Sequence, residues 1–336
     1  MKLLRKILFP FVPIYYIVVW VRNRLYDMGW KSSKSYDLPI ICVGNLSVGG
    51  TGKTPTIEYL ISFLKEAHLV ATLSRGYKRE TEGFIIADPS STAKDIGDEP
   101  LQFYRKFNHI IVSVDANRQR GISQLKALKQ PDVILLDDAF QHRKVKAGFN
   151  ILLTTYNQLY VDDMVLPTGN LREPKSGAKR ATIILVTKCP ENLTEADKAQ
   201  VKLKLKPLSH QSVYFSTISY SDRVFSSETS QPMTYLKDKS ITLVTGIANP
   251  QPLLDYLVEC QITFEHLNFK DHHTFSTADI ALLSQKPYIL TTEKDYVRLK
   301  DEPKLDASEL FYLPMSFEID EEATFKKQIA TFIESF

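Results

Sequence analysis

Residues Ser47 to Thr54 read S-V-G-G-T-G-K-T. Gly49, Gly50 and Gly52 let successive backbone N–H groups turn toward one point, a geometry that suits phosphate oxygens. Lys53 adds a positive charge for the β- and γ-phosphates, and the Thr54 hydroxyl is a ligand for Mg2+. Ser47, Val48 and Thr51 complete the loop, with Ser47 standing where the G-x-x-x-x-G-K-[ST] pattern has its first glycine. The segment therefore predicts a phosphate-binding loop and a nucleoside triphosphate as ligand.

Two further positions bear on which nucleotide. Val48 occupies the place where partitioning-type ATPases carry an extra lysine. Thr187-Lys188-Cys189-Pro190 has the lysine of a guanine-reading N-K-x-D loop but Pro190 in place of its aspartate. Both points favour ATP, and a kinase over a switch protein.

Three acidic or imidazole groups could complete the chemistry. Asp137 and Asp138 end the apolar run Val133 to Leu136, and a carboxylate at the C-terminal end of a buried strand suits a metal site. Neighbouring side chains on a strand point apart, so one is expected at the metal and the other on a neighbouring residue or substrate. In Gly97-Asp98-Glu99-Pro100, Asp98 suits either a base for a sugar hydroxyl or a helix N-cap. Asp271-His272-His273 could be a metal site, a catalytic histidine or a loop pair, and two adjacent histidines without other ligands give little support to a metal.

The elements that must position these groups follow from hydrophobic spacing. Pro39 to Val43 predicts a buried strand, and Pro55 to Ala67 a helix with Ile57, Leu60, Ile61 and Leu64 on one face. Strand, glycine loop and helix in that order are the setting a phosphate-binding loop requires. Further strands are expected at Leu69–Leu73, His109–Val114, Val133–Leu136, Asn150–Thr154 and Thr182–Val186. Alternation with helical patterns predicts an α/β fold, a P-loop NTPase core with a mainly parallel sheet covered on both faces.

Residues 209–239 are rich in Ser, Thr and Tyr and read as strands and loops near a domain boundary. A second α/β pattern follows: strands at Ile241–Thr245, Ile262–Phe269 and Tyr288–Thr292, and a helix at Pro250–Cys260. Ser276 with Asp279 predicts a capping box, and Glu321 to Phe336 a closing helix. The expected organisation is an N-terminal helix in 1–30, a kinase domain in 31–208 and a smaller α/β domain in 209–336, whose last helix could pack back on the core.

With 336 residues and 24% charged content the chain is a folded globular protein. Cys42, Cys189 and Cys260 lie far apart with no C-x-x-C pair, as in a reducing compartment. The net charge of +3 is unevenly spread. Residues 1–36 hold Lys2, Arg5, Lys6, Arg22, Arg24, Lys31 and Lys34 against Asp27 alone, so the remainder is net acidic.

Between these basic flanks runs Ile7 to Val21, interrupted by Pro10 and Pro13. As a helix it is about 22 Å long, against about 30 Å of hydrocarbon in a bilayer. It lacks the small-residue pattern of a signal-peptide cleavage site. Tyr15, Tyr16 and Trp20 suit a membrane–water interface. A helix lying on an anionic membrane surface is the expectation; a core helix and a true span are the alternatives.

The motifs taken together resemble a known family, the tetraacyldisaccharide 4′-kinases of lipid A synthesis. The resemblance runs along nearly the whole chain: V-G-N-L-S-V-G-G-T-G-K-T-P from Val43, S-R-G-Y from Ser74, G-D-E-P from Gly97, L-D-D-A-F-Q-H from Leu136 and L-R-E-P from Leu171. T-G-I-A-N-P from Thr245, F-K-D-H-H-T-F from Phe269 and T-E-K-D from Thr292 continue it. It implies transfer of the ATP γ-phosphoryl group to the 4′-hydroxyl of a tetraacylated glucosamine disaccharide 1-phosphate, with Mg2+.

It also implies a membrane-associated N-terminal helix at the cytoplasmic face of the bacterial inner membrane, and two domains around a cleft that closes. The family's catalytic aspartate falls on Asp98 and its histidine partner on His272, and the acidic pair on Asp137 and Asp138. Arg75, Arg172 and Glu173 lie in matched blocks without an assigned role. The expected partners are the acylated disaccharide lipid and the membrane surface, with no nucleic acid and no obligate protein partner. The competing readings are a P-loop kinase or ligase of a soluble metabolite, and a nucleotide-dependent switch or metallochaperone.

Overall fold

All six residues of β1 (Ile40–Asn45) are buried, which is what a strand covered by helices on both faces requires. The computed structural model describes residues 5, 7–247, 249–271, 273–305 and 308–336. After β1 come β2 (Val70–Ser74), β3 (Ile85–Ile86), β4 (Ile111–Val114), β5 (Val133–Asp137), β6 (Phe149–Thr155), β7 (Ile183–Cys189) and β8 (Ser212–Tyr220). Six strands of a second sheet follow: β9 (Arg223–Phe225), β10 (Ser230–Pro232), β11 (Ile241–Thr245), β12 (Phe264–Asn268), β13 (Tyr288–Thr292) and β14 (Glu309–Leu313). The chain then returns with β15 (Met315–Ile319) to the edge of the first sheet, whose order is β15-β8-β7-β6-β1-β5-β2-β4-β3.

From β8 to β4 the pairings of this sheet are parallel, and β3 joins antiparallel. The C-terminal ends of β1, β5, β2, β4 and β7 therefore share one edge, where loops of parallel sheets carry their sites. Helices α1 (Val12–Asp27), α2 (Lys53–Leu64), α3 (Ala93–Ile96), α4 (Asp98–Lys106), α5 (Arg118–Leu128) and α6 (Glu195–Leu205) belong to this part of the chain.

The chain divides into two compact units, Met1–Ile218 with Phe317–Phe336, and Ser219–Ser316. The division falls later than the expected boundary after residue 208, because the Ser/Tyr-rich stretch from Ser212 is a strand paired in parallel with β7. The second unit holds α7 (Gln251–Glu259), α8 (Thr277–Leu283) and α9 (Glu293–Leu299). Its sheet order is β10-β9-β14-β13-β11-β12, parallel from β12 to β14 and antiparallel at β9 and β10.

The closing helix, α10 (Glu322–Ile333), belongs to the first unit rather than to the second. Phe325 and Ile329 are fully buried, and Phe325 meets the Tyr214 ring edge-on at 5.2 Å. Each such burial stabilises by about 1.5–3 kcal/mol as an upper figure, which explains why the chain returns.

Two boundaries differ from the periodicity reading for a clear reason. Helix α2 starts at Lys53, not Pro55, because Gly52 is its N-cap in the left-handed region at φ 85°. Strand β4 starts at Ile111, not His109, because His109 has φ 62°. In the second unit the strand expected from Ile262 begins at Phe264. The capping box of Ser276 and Asp279 is present at the start of α8.

Helix α1 is neither a core helix nor long enough to span. Asn23 is its one buried residue, and no helix among the described residues is long and apolar enough to cross a membrane. One side is fastened to the first unit by polar groups. The Tyr15 hydroxyl donates to the Arg172 carbonyl at 2.9 Å and Arg22 donates to the Gln141 carbonyl at 2.8 Å. Asp27 pairs with Arg143 at 2.8 Å. Away from these contacts, Phe9, Phe11, Ile14, Ile17, Val18 and Trp20 stand 46–62% exposed.

Candidate active site

The loop from Ser47 to Gly52 leaves β1 and enters α2, held open by its neighbours. Asn45 donates through Nδ2 to the Thr51 hydroxyl at 2.7 Å, and the Thr187 hydroxyl at the end of β7 donates to the Thr51 carbonyl at 2.8 Å. Val48 N–H donates to the Asn170 carbonyl, and Arg172 N–H to the Leu46 carbonyl. Ser47 thus pairs antiparallel with Leu171, which gives the non-glycine at the first position a backbone role.

Among the described residues, the N–H groups of Gly50, Thr51 and Gly52 find no backbone acceptor, and α2 has no side-chain cap. Gly49 at φ 114° and Gly52 at φ 85° hold conformations that strain an L side chain. Unpaired donors at a helix N-terminus attract an anion. Lys53 and Thr54 lie in the first turn of α2 beside them.

The acidic pair divides its work. Asp138, in the left-handed region at φ 47°, accepts two hydrogen bonds from Arg172, Nη1 to Oδ2 at 3.1 Å and Nη2 to Oδ1 at 2.8 Å. Lys53 Nζ lies 3.7 Å from the same carboxylate. Burial alone would raise the Asp138 pKa, but the Arg172 hydrogen bonds and Lys53 outweigh it and hold the group ionised.

Asp137 receives no such help. Burial first, and the Asp138 charge second, push its carboxyl up to about 7, with Glu99 adding to the rise and Lys53 and Arg118 opposing it. Arg118, 3% exposed, donates to the Asp137 carbonyl at 3.3 Å. It is the buried cation behind the pair, as Lys53 and Arg172 are the cations in front.

Glu99 is one of the charges that raise the Asp137 pKa, so the G-D-E-P block acts electrostatically on the acidic pair. The N-cap of α4 is Gly97, and Asp98 is the first helical residue, so the N-cap reading of Asp98 does not hold. Gly97 sits at φ 92°, and a Cβ there would lie 3.1 Å from the Tyr77 carbonyl. A Cβ on Gly76, at φ 70°, would lie 3.1 Å from the Ile96 carbonyl. The two glycines let S-R-G-Y, with its exposed Arg75, close on G-D-E-P. Gln102 and Lys106 of α4 bind Glu58 of α2 at 2.8 and 2.9 Å, fixing α4 to the helix of the phosphate loop.

Arg172 and Glu173 point to different tasks. The Arg172 guanidinium joins Asp138 to the Asn45 side chain. Glu173, 1% exposed, accepts from Asn23 at 2.7 Å, Gln141 at 2.9 Å and Arg180 at 2.8 Å. It ties α1 to the L-D-D-A-F-Q-H loop. The spacing reading missed Asn45, Arg118 and Gln141; only the place of Asn45 directly before the loop was a usable signal.

In the second unit, T-G-I-A-N-P, F-K-D-H-H-T-F and T-E-K-D meet at Asp295, which is fully buried. Asp295 accepts from Gly246 N–H at 2.7 Å, the Thr292 hydroxyl at 2.9 Å and Arg298 at 3.2 Å. Arg298 also donates to the His273 carbonyl at 3.1 Å. His273 stacks on Phe269 at 4.6 Å and bonds Asp279 at 3.0 Å, contacts that fasten the loop before α8. His272 lies outside the described residues.

Hard oxygen donors suited to Mg2+ are present in Thr54 and Asp137, the latter a buried carboxylate that no hydrogen bond engages among the described residues. No group of three His, Cys, Asp or Glu side chains that could hold a metal exists among the described residues.

Comparison with known proteins identifies the family. A family model described as LpxK, tetraacyldisaccharide-1-P 4′-kinase, matches residues 4–334. Tetraacyldisaccharide 4′-kinases of Flavobacterium johnsoniae and Flavobacterium psychrophilum are 54% and 48% identical, over 94% and 100% of this chain and 93% and 98% of theirs. That of Bacteroides thetaiotaomicron is 45% identical over 94% of this chain and 89% of its own. A crystal structure of LpxK from Aquifex aeolicus in complex with ATP superimposes with a TM-score of 0.80 at 29% identity, covering 98% of this chain and 99% of that one. With its phosphate loop, acidic pair and L-R-E-P strap all in place, the chain belongs to the tetraacyldisaccharide-1-P 4′-kinase family.

Proposed function

We propose that this protein transfers the γ-phosphoryl group of ATP to the 4′-hydroxyl of a tetraacylated glucosamine disaccharide 1-phosphate, forming the bisphosphorylated lipid IVA. The observation that carries the reading is the shared L-R-E-P strap. Its Arg172 holds Asp138 beside the phosphate loop, and its Glu173 holds a helix with an exposed apolar side. A kinase of a soluble metabolite has no use for the second half of that arrangement.

Phosphoryl transfer needs positioning and charge neutralisation more than covalent participation. The amides from Gly50 to Gly52 and Lys53 bind the phosphate chain. Thr54 and Asp137 would hold Mg2+, which would supply charge neutralisation to the phosphate chain. Asp138 stays ionised and orients Arg172 and Lys53 toward that charge. Asp98 accepts the proton of the sugar hydroxyl, and the family resemblance assigns His272 to the same step.

The acceptor is a lipid, so the enzyme works at a bilayer surface. The apolar residues of α1 enter the interface and the basic residues around it face anionic headgroups, at the cytoplasmic face of the inner membrane, where ATP is available. The test is γ-labelled ATP with the tetraacyl disaccharide 1-phosphate in mixed micelles. Label must appear on the lipid in a Mg2+-dependent manner; label released only as inorganic phosphate overturns the reading.

A further inference from the structure

Lys188 is unused by the chemistry above, yet its placement is unusual. It lies near the C-terminal end of β7, where the ladder with β8 is irregular between Val186 and Cys189. Its backbone is in the left-handed region at φ 56°. The preceding Thr187 is bonded to the Thr51 carbonyl of the phosphate loop at 2.8 Å. The Lys188 side chain runs over that loop, and a Cβ built on Gly50 would lie 4.0 Å from Lys188 Nζ.

Among the described residues no carboxylate pairs with Lys188. Burial lowers the Lys188 pKa, and no carboxylate opposes the fall. Lys53 differs, having Asp138 at 3.7 Å. A half-buried ammonium without a counter-charge is costly, and a left-handed β-strand residue adds strain. Both costs are explained if an anion completes the site. The nearest unpaired donors, the N–H groups of Gly50 to Gly52, face the same need.

We propose that Lys188 is a second phosphate-binding cation of the nucleotide site, delivered from β7 onto the phosphate chain opposite Lys53. In a guanine-reading loop the lysine at this place would lie along the base. Here the partner aspartate of that loop is Pro190, and the ammonium is directed at Gly50. The inference rests on the nucleotide-site reading, and the unaltered protein supplies the control: if it binds neither ADP nor ATP, that reading fails before Lys188 is tested.

The experiment compares K188M, K188R and K188A by ADP and ATP titration and by thermal melting without nucleotide. A charge-assisted contact sets the expected scale: K188M weakens both nucleotides about tenfold or more, while K188R stays within about threefold. K188M should melt no lower than the unaltered protein, because a buried unpaired charge has been removed. A purely structural lysine would instead lose melting temperature with unchanged affinity, overturning the proposal. Native affinity in K188M with loss only in K188A would also overturn it, since the stem, not the charge, would then be packing on the base.

Discussion

Arg172 and Asp138 form a fork-to-fork ion pair, with two hydrogen bonds at 3.1 and 2.8 Å. Because the Arg172 N–H is also bonded to Leu46, one residue after β1, the pair spans from phosphate loop to acidic loop. A lysine offers one point charge and cannot make both bonds. R172K is therefore expected to lower kcat/KM by about ten- to a hundredfold, with an unchanged melting profile. Steady-state kinetics on the lipid acceptor check this; a rate within twofold of the unaltered enzyme would deny Arg172 its organising role.

The two aspartates should separate under Mg2+ titration. Asp137 is the buried carboxylate that no hydrogen bond engages among the described residues, while Asp138 is already engaged by Arg172 and Lys53. D137N is expected to raise the Mg2+ concentration needed for half-maximal rate and to cut the rate about a hundredfold or more. D138N should lower the rate by about tenfold without moving the Mg2+ requirement. The opposite pattern would exchange their roles.

Much of this site could be read before the fold was known, and the reason is physical. The phosphate loop is contiguous: three glycines, a lysine and a threonine act through backbone and first-turn geometry that short-range spacing encodes. Asp137 and Asp138 were legible because they end an apolar run. Arg118 and Gln141 were not, since the contacts that bring them to the site, Arg118 with Asp137 and Gln141 with Asn45 and Glu173, lie far along the chain, and nothing in the local pattern marks a buried polar residue. Helix α10 shows the same limit. Its amphipathic pattern located the helix, but only the Phe325 contact with Tyr214 shows which unit it completes. Asp98 is intermediate: its block was readable, but of its two readings, base for a sugar hydroxyl and helix N-cap, the second falls only because Gly97 is the N-cap of α4.

His142 gives a pH prediction for stability. Burial, with Arg118 next, pushes its imidazole down to about 4, and its buried Nε2 has no partner. An unfolded histidine titrates near 6.5. Between those values the unfolded chain binds a proton that the folded chain refuses. The contribution is thus whole above about pH 6.5, falls as pH drops toward 4, and changes no further below it. H142F should reduce the loss of stability between pH 7 and 5 by on the order of 1–2 kcal/mol, after allowance for screening at a partly exposed ring. Urea melts at both pH values decide this; parallel losses in the two proteins would contradict it.

His272 is tested by separating binding from turnover. Its assignment to the proton-transfer step predicts that H272A lowers kcat by about a hundredfold and leaves the ATP dissociation constant within about twofold. H273A is the contrast: His273 holds Asp279 and Phe269, so its loss should lower the melting temperature. If H272A weakens ATP binding as much as turnover, His272 belongs to nucleotide binding and not to the proton step.

Glu173 should couple membrane attachment to catalysis. Its carboxylate is buried among Asn23 of α1, Gln141 of the acidic loop and Arg180. Removing one partner of a buried ion pair leaves the other charge uncompensated, so E173A is expected to cost about 3–5 kcal/mol. E173Q keeps the acceptor for Asn23 but weakens the hold on Arg180, and is the milder variant. If α1 is positioned through this carboxylate, E173Q should leave flotation with anionic vesicles intact, because the apolar side of α1 is untouched. It should still lower the rate on the lipid acceptor and increase proteolytic cleavage after Met28. Substituting Ile17 and Trp20 together by glutamate should do the reverse, releasing the protein from vesicles while the cleavage pattern stays unchanged. Loss of flotation in E173Q would mean that the carboxylate supports the membrane face itself, and the proposed division between anchoring and positioning would not stand.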